Sequence, residues 1–471
     1  MFANTQLLGV KSPLGDALSL NGFSGREGLS QLFSLELDLI AGNDAPDVFR
    51  GLLGQPVSVQ AGPRHFDGIC SRVTQGESNT GFTAYRAEVV PWLWLLTRNR
   101  NTRSFQNKSV PEIAELVAAD SGRALSLRLQ ASYEPRAYIV QYNESDFDFV
   151  SRLLEEEGLY FFFEQTADGH QVVLVDGPAG HTALEPIRFD PDGELKRLRE
   201  SVYSWEKSQE LRPGKVTLRD HHFELPNNHL EGSALLQESV TAGGVTHLLR
   251  TAAGSGLEIY DYPGGYAERF DGIDSGGGAQ PAELQKLFEA ATRAAELRMQ
   301  AEAASALEIA GASNVRALAA GRIVTLTGSN RQFDGKYLVT RVTHRFDRQG
   351  DRVAYANTFT CIPEGLQFRS PHTTPRPVAG VQSAVVVGPP GETVFADKYG
   401  RVKVRFYWDR EDNSSSNWVR VAHPSGGFFS LPEVDDEVLV AFEHGDPDRP
   451  YIVGALWNAA DPPPQESLPD R

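Results

Sequence analysis

The sequence predicts a mainly β protein with an α+β insert, in which two related β-barrels precede a C-terminal OB-type barrel. Apolar and polar residues alternate repeatedly within 1–100 and 381–460, and two helix signatures interrupt the strands within 101–195. Alternation with a period of two is the pattern of a strand that buries one face. At ~150 residues per domain, a chain of 471 residues is long enough for about three domains.

The first 100 residues are predicted to form the first β-barrel. Every second residue from Phe33 to Leu39 is apolar, Val57 and Val59 repeat this alternation, and a further run begins at Tyr85. Several such strands in succession favour an antiparallel sheet that closes on itself.

Residues 101–195 are predicted to form the α+β insert. Ser109 and Glu112 have the spacing of a capping box at the start of a helix. Ser145 caps a second helix, and Gly158 is placed to end it, because glycine readily adopts the left-handed conformation that follows a helix. Two strands follow, and the Asp-Gly pair at 168–169 between them is a strong hairpin signal.

Residues 196–370 are predicted to form the second β-barrel, which includes one long helix over 281–310. The Gly-rich segment 275–278 is expected to be a flexible joint, and Pro281 suits the first turn of the helix that follows. Apolar residues three or four positions apart predict the buried stripe of this helix: Leu284, Phe288, Ala291, Ala295 and Met299.

The rest of the chain is divided into a Pro-rich linker over 371–380, an OB-type domain over 381–460 and a second linker over 461–471. Val402, Val404, Phe406 and Trp408 alternate with Lys, Arg and Tyr. About five short strands within ~80 residues are typical of a small Greek-key barrel of the OB type.

Two parts of the chain repeat one another. Three blocks correspond in the same order: 54–59 with 321–326, 64–68 with 331–335, and 72–74 with 341–343. Shared order and nearly constant spacing favour an internal duplication over two barrels that converged on the same Phe-Asp-Gly turn. Because three such chains would present six similar barrels around one axis, we expect a homotrimer that can meet a sixfold partner.

The composition excludes several functional classes. Lys and Arg number 45 against 62 Asp and Glu, which gives a net charge of -17. Such a chain repels phosphate groups, so binding to nucleic acid or to an anionic membrane is disfavoured. Cys70 and Cys361 are too few for a disulfide framework or a four-cysteine zinc site, and we expect both to be buried and reduced.

Targeting and membrane signals are missing from the sequence. No apolar run approaches the ~20 residues of a membrane span. Residues 1–10 lack the basic and apolar regions of a signal peptide. We therefore expect the protein to be cytoplasmic when made, and if it leaves the cell, a route other than a signal peptide must export it.

The usual catalytic signatures do not occur either. The sequence contains neither a Gly-x-Ser-x-Gly elbow nor a His-Glu-x-x-His motif. His221, His222 and His229 fit no common metal spacing and are expected to be exposed loop residues. The acidic run 155–157 is expected on a solvated helix face rather than in a glycosidase carboxylate pair. We predict no catalytic, cofactor-binding or metal-ligating residue, and no cofactor.

The last barrel raises the alternative of nucleic-acid binding. OB-type barrels can stack bases on aromatic side chains, and Trp408, Trp418 and Trp457 are the candidates. Acidic residues crowd the same unit, however, so the three tryptophans are expected in its core. A salt-dependent shift of labelled oligonucleotide would distinguish this rival function.

Four segments resemble the VgrG spike proteins of type VI secretion. Gln-Tyr-Asn-Glu-Ser-Asp-Phe-Asp-Phe at 141–149, with Arg-Leu and Glu-Gly close behind, is similar to a hallmark of that family. So are Tyr-Asp-Tyr-Pro-Gly at 260–264, Asp-Lys-Tyr-Gly-Arg-Val-Lys-Val at 397–404, and Gly-Asp-Pro-Asp-Arg-Pro at 445–450. The likeness covers nearly the whole chain.

The resemblance implies a structural protein and not an enzyme. In this family, and in the related hub and spike proteins of contractile phage tails, a trimer caps a hexameric tube built from Hcp-like protein. The trimer is driven through the target membrane to deliver effectors. This movement would export it without a signal peptide. A long β-helix after the neck receives a PAAR-type tip and effectors, so those partners are implied only if such a β-helix is present. A cell-wall hydrolase carried on a spike is the rival, although the four assigned units leave no segment for it.

The sequence departs from the family in two places. No strand repeats follow Trp457, so the β-helix is expected to be missing from this chain. The segment 424–436 lacks the Trp-Gly-rich stretch usual in type VI members, which favours a closer likeness to spikes of phage-like or extracellular contractile injection systems.

Overall fold

The computed structural model describes residues 8–62, 64–166, 169–193, 199–271, 281–329, 331–349, 352–372, 378–410 and 416–463. Within these ranges, one 13-stranded sheet runs through both barrel units, and five smaller sheets complete the molecule. The predicted fold class, mainly β with an α+β insert, is confirmed. No helix among the described residues is both long and apolar enough to span a membrane.

The first unit consists of six strands and one short helix. They are β1 (Leu8–Lys11), β2 (Leu18–Gly28), β3 (Gln31–Gly42), α1 (Val48–Leu52), β4 (Pro56–Ala61), β5 (Arg64–Ser78) and β6 (Phe82–Val90). The strands pair in the order β1-β4-β5-β6-β3-β2. The predicted alternation is present in β3, where Phe33, Leu35, Leu37 and Leu39 are all buried.

The insert contains two helices among five strands. They are β7 (Arg100–Lys108), α2 (Val110–Asp120), β8 (Ser126–Arg128), β9 (Arg136–Ser145), α3 (Asp146–Glu156), β10 (Tyr160–Thr166) and β11 (Gly169–Val175). Both predicted caps are confirmed. The backbone N–H of Ser109 donates to the Glu112 carboxylate at 2.7 Å, and that of Asp148 donates to the Ser145 hydroxyl at 3.0 Å. Residues 167–168, on which part of the predicted hairpin turn falls, lie outside the described residues.

Strand β10 is buried on both faces. Tyr160 and Phe162 belong to the core of the second barrel, whereas Phe161 and Phe163 belong to the core of the first. Successive side chains of a strand point to opposite faces, so one strand can serve two cores. The insert therefore forms a shared wall between the two barrels.

The second unit begins and ends with strands of the large sheet. It starts with β12 (Thr182–Ala183), β13 (Ile187–Arg188) and β14 (Val202–Gln209). An excursion follows through β15 (Lys215–Asp220), β16 (Leu230–Leu235), β17 (Ser239–Ala242), β18 (Val245–Leu248), β19 (Glu258–Asp261) and α4 (Pro281–Ala304). The chain then returns through β20 (Leu307–Ser313), β21 (Arg322–Thr327), β22 (Gly335–Gln349) and β23 (Arg352–Pro363). The predicted joint at 275–278 lies outside the described residues.

Helix α4 is shorter than predicted. It ends at Ala304 rather than 310, because Leu307 and Ile309 alternate as buried residues of β20, which pairs with β14 and β23. Phe288 was placed in the buried stripe but is 37% exposed, whereas Leu287 is fully buried. A spacing of three or of four from Leu284 suits a helix face equally, so sequence spacing alone does not choose between 287 and 288.

The two barrels share one strand order, which confirms the internal duplication. The order β4-β5-β6-β3-β2 of the first unit corresponds to β21-β22-β23-β20-β14 in the second, whereas the outermost strands differ in direction: β1 pairs antiparallel with β4, and β12 and β13 pair parallel with β21. Two register shifts recur at corresponding places. The β2–β3 shift between Leu20 and Gly22 corresponds to the β14–β20 shift between Val202 and Ser204. The β5–β6 shift after Cys70 corresponds to the β22–β23 shift after Val339.

The registers correct the sequence alignment of the two copies. Val59 pairs with Phe66 in the first barrel, and the equivalent Leu326 pairs with Gly335 in the second. The two extra residues of the second copy therefore lie in the turn before β22. Residues 64–68 are strand, whereas 331–334 precede the strand, so the shared Arg-x-Phe-Asp-Gly block is not structurally equivalent.

The barrels join at a central seam, where β2 pairs antiparallel with β22. The seven pairs run from Gly22–Asp347 to Gly28–Arg341. The Glu27 carboxylate at this seam lies 2.7 Å from the Arg64 guanidinium and 2.9 Å from His344 Nε2, and all three side chains are largely or fully buried.

The C-terminal barrel has five strands, in agreement with the prediction. They are β24 (Gln382–Val387), β25 (Lys403–Phe406), β26 (Arg420–Val421), β27 (Glu437–Phe442) and β28 (Pro450–Leu456), and they pair in the order β25-β24-β27-β28-β26. Val402, Val404 and Phe406 are buried in its separate core. Half of the predicted linker 371–380, residues 373–377, lies outside the described residues.

Candidate functional site: a charged junction

The insert, the second barrel and the C-terminal barrel meet at one cluster of ion pairs, which we call the charged junction. Its members are Arg136, Arg152, Glu156, Glu157, Asp220, Glu268, Arg269, Asp448 and Arg449. Two segments that carry the family resemblance, 260–264 and 445–450, meet here, since the Tyr262 ring packs edge-on against His444, which directly precedes the 445–450 turn.

The end of α3 supplies the acidic side of the insert. Gly158 takes a φ of 71° and ends the helix, so Glu156 and Glu157 are held beside β9. Arg136 of β9 contacts them at 2.6 and 2.5 Å, and Arg269 of the second unit contacts Glu157 at 2.9 Å. Burial alone would raise the pKa of Glu157, but the charges of Arg269 and Arg136 outweigh it and lower the pKa to about 2.

The 445–450 turn of the C-terminal barrel reaches the backbone of the insert. The Val140 N–H donates to the Asp448 carboxylate at 2.6 Å, and the Val140 carbonyl accepts from Arg152 at 2.9 Å. Arg152 is itself paired with Glu144 at 2.8 Å. Burial and the neighbouring charge of Asp446 raise the pKa of Asp448 well above its usual range.

Arg449 connects the same turn to the second barrel. Its guanidinium contacts both oxygens of Asp220, at 3.0 and 3.2 Å, and it also bonds Glu268. Asp220 has no solvent exposure and accepts the backbone N–H groups of Tyr266 and Ala267 at 2.9 and 3.0 Å. A buried carboxylate with this many donors is fully compensated, so this contact fixes the C-terminal barrel on the hub.

Glu268, like Asp448, differs from the junction carboxylates whose pKa is lowered. Burial raises its pKa, and the charges of Asp220 and Asp446 add to this effect against the opposing charge of Arg449, so that the pKa reaches about 7. Glu268 therefore changes its charge near neutral pH.

A second contact lies beside the junction. Arg401, from the loop before β25, pairs with Asp397 at 2.7 Å and with Asp271 of the second unit at 2.8 Å. Together with Arg449, it joins the C-terminal barrel to the second barrel at two separate points. The arrangement is a set of closed ion pairs and serves to hold three units in a fixed relation.

Several sequence expectations need correction at the residue level. His221 and His229 are exposed as expected, but His222 is buried, and its Nε2 donates to the Phe270 carbonyl at 3.0 Å. Glu156 and Glu157, expected on a solvated face, are the largely buried acids of the junction. Arg152 of the same helix lies 3.8 Å from Glu156, whereas Arg136 and Arg269 come from other elements, which the local pattern does not show.

The tryptophans agree with the expectation only in part, whereas both cysteines agree with it. Trp408 packs against the core of the last barrel as expected, whereas Trp457 is 62% exposed. Cys70 and Cys361 are both buried free thiols, and burial raises the pKa of each. Among the described residues, no group of three or more His, Cys, Asp or Glu is placed to hold a metal ion.

Sequence reasoning missed Arg136, Asp220 and Arg449 as the organising residues of the junction. The 445–450 motif was the available signal for Arg449, since it combines two acids and an arginine in a turn. Nothing near Asp220 in sequence indicated its partner, which lies 229 residues away.

Family comparisons agree with this architecture. The model of the phage tail baseplate hub (GPD) matches residues 26–350, and that of the type VI secretion system/phage-baseplate injector OB domain matches 392–457. Among solved structures, the type VI component c3393 of E. coli, described as similar to T4 tail proteins gp27 and gp5, covers 95% of this chain at 22% identity with a TM-score of 0.67. The prophage MuSo2 tail protein of Shewanella oneidensis covers 76% of this chain and is 12% identical with a TM-score of 0.51. These alignments span 99% of each of the two solved chains and show the fold.

Curated relatives identify the family. The type VI secretion system spike proteins VgrG1b and VgrG1c of Pseudomonas aeruginosa are 35% and 36% identical over 98% of this chain, which spans 62% and 63% of their lengths. VgrG1a of the same organism is 34% identical, and this chain spans 71% of it. The closer likeness to phage-like spikes that 424–436 suggested is therefore not supported. By sequence and by fold, the chain belongs to the VgrG family of type VI secretion system spike proteins.

Proposed function

We propose that this chain is the hub and neck of a spike that caps the tube of a contractile injection machine. Three copies surround one axis, so that their six barrels meet a hexameric tube of Hcp-like protein. The observation that carries the proposal is the repeated strand order of the two barrels, because it supplies two similar units per chain. A threefold assembly can match a sixfold one only if each subunit presents two like surfaces.

The proposed role is mechanical. Sheath contraction pushes the tube and its cap through a target membrane, so the cap must transmit force without unfolding. The charged junction and the central seam connect the units through buried ion pairs and a continuous strand ladder. Resistance to forced unfolding depends on the unfolding rate. Contacts that must break before the unfolding barrier is crossed lower this rate. No bond-making step belongs to this role, and we expect purified protein to have no muralytic activity.

Two further partners depend on sequence beyond the neck. A PAAR-type tip and effectors would bind only if a β-helix is present in the full protein. Export by the machine itself would take the protein from the cytoplasm to the target without a signal peptide.

The test is the native mass together with the shape of the particle. We expect about 155 kDa, three times the 51.7 kDa of one chain, and negative-stain images with a sixfold-like base and a narrower threefold neck. A monomer or dimer at every concentration tested would contradict the proposal. Binding of the trimer to rings of the hexameric tube protein, and to no monomeric control, is the second expected result.

A further inference from the structure

The duplication leaves two strand edges without a partner among the described residues. β14 is the last strand of the large sheet, and beyond Val202 its outer side pairs with no described strand. The outer half of β5, residues 72–78, pairs with β6 on one side only, because β4 reaches only to Ile69. Open edges of this kind are templates for pairing with another chain.

In the second barrel, the strand edge that has no described partner in the first barrel is covered. β21 pairs with the start of β22, and β2 from the other half continues along the same side from Arg341 to Asp347. By the registers of the two barrels, Arg341 corresponds to Arg72 and Val342 to Val73. The outer half of β5 is therefore the equivalent of the edge that β2 covers at the central seam.

The strand that should cover it is the equivalent of β2. Phe23 of β2 pairs with Leu37 of β3, and Trp205 of β14 pairs with Gly311 of β20. Leu37 and Gly311 are equivalent positions, so Phe23 corresponds to Trp205. The shared register shift near the start of both strands supports this equivalence. The outer edge of β14 is therefore equivalent to the edge of β2 that pairs with β22 at the central seam.

We infer that β14 of one chain pairs antiparallel with residues 72–78 of β5 in a second copy, in the register that joins β2 to β22. This inference rests on the proposed trimer. It extends the large sheet from chain to chain, so that two kinds of seam alternate around the ring. Equivalent seams between like units are what a closed, pseudo-sixfold arrangement requires.

The side chains at the two edges suit this pairing. The register places Ser208 opposite Thr74 and Glu210 opposite Arg72, and all four residues are exposed in the single chain. Arg72 has only a 3.8 Å contact with Glu88, so its guanidinium can reach a second acid. Opposite charges directly across an antiparallel ladder are favourable.

Disulfide trapping tests the register. In the double variant Ser208→Cys and Thr74→Cys, we expect mild oxidation to convert at least half of the chains into covalent dimers and trimers that reduction reverses. The matched control is Ser204→Cys with Thr74→Cys, whose residues would lie ~13 Å apart along the strand and should give few cross-links. Wild-type protein should give none, because Cys70 and Cys361 are buried.

The native mass of the same variants separates this inference from the proposed function. Trimers that cross-link only through 208 and 74 support both. Trimers without that cross-link, or with preferential linking through 204, overturn the strand pairing and leave the spike role standing. A monomer, or a disulfide formed only within one chain, overturns the inter-chain pairing, and the monomer overturns the proposed trimer as well.

Discussion

Glu27 shows how a single residue connects the two halves of the hub. It lies on β2 of the first barrel, receives Arg64 from β5, and contacts His344 on β22 of the second barrel. Burial would raise the pKa of Glu27, but Arg64 and His344 lower it to about 2. A buried acid with two partners is costly to disturb, because removing one partner leaves the others desolvated and uncompensated.

We expect Glu27→Gln to lower the free energy of unfolding by about 3 kcal/mol at pH 7, as measured by urea denaturation. The folded pKa lies below the ordinary 4.5, so the stabilisation by the carboxylate is complete above pH 4.5 and is lost as the pH falls towards 2. The free energies of unfolding of wild type and variant should therefore converge at acidic pH. Asp38→Asn removes an exposed 3.8 Å pair and should change stability by less than ~0.5 kcal/mol. Equal effects of both variants would contradict this account of the seam.

At the scale of elements, the 445–450 turn between β27 and β28 holds the C-terminal barrel on the hub. One arginine of this turn contacts acids of the second barrel, and one aspartate binds the backbone of the insert. The turn therefore positions the C-terminal barrel through charged groups, and these groups differ in their pKa. The pKa of Glu268 is raised to about 7, so the charge of this member changes near neutral pH.

Glu268→Gln should alter the pH dependence of stability. The folded pKa of about 7 lies above the ordinary 4.5, so folding binds a proton between these values and stability falls as pH rises through that window. Glutamine cannot ionise, so the variant should gain on the order of 2 kcal/mol relative to wild type between pH 5 and pH 8. Thermal unfolding at several pH values measures this gain. Glu289→Gln, on the exposed side of α4, should follow wild type, and parallel curves for all three proteins would disprove the assignment.

Local signals predicted elements well, whereas long-range contacts decided the exceptions. The caps at Ser109 and Ser145 lie within four residues of the groups they bond, so sequence alone located both helices. The end of α4 depends on whether Leu307 finds a strand partner, and that partner, Gln209, lies 98 residues away. The charged junction was missed for the same reason, because its arginines and acids come from three separate units.

At the scale of the whole molecule, most of the architecture was predictable because duplication repeats its signal. Two copies of one pattern, each with its own alternation, identified the barrels. The exact correspondence required strand pairing, since a two-residue difference in the turn before β22 misaligned the shared block. Neither copy of the pattern indicated that the two barrels share one continuous sheet.

If the trimer forms as proposed, its stability should depend on protein concentration. Association shifts the folding equilibrium by mass action, so the apparent Tm should rise when the concentration is raised a hundredfold. Scanning calorimetry or fluorescence across that range measures the shift. A Tm that stays constant while the mass remains that of one chain would contradict the assembly.

The central seam has a consequence for how such a ring is built. Because β2 and β22 belong to one polypeptide, their encounter is intramolecular and proceeds at an effective concentration that dilution does not change. In a ring of six barrels, every other joint is then made before any two chains collide. In the proposed trimer, fusion of the two halves thus leaves three joints between chains instead of six, which favours closed rings over open chains when the protein is scarce.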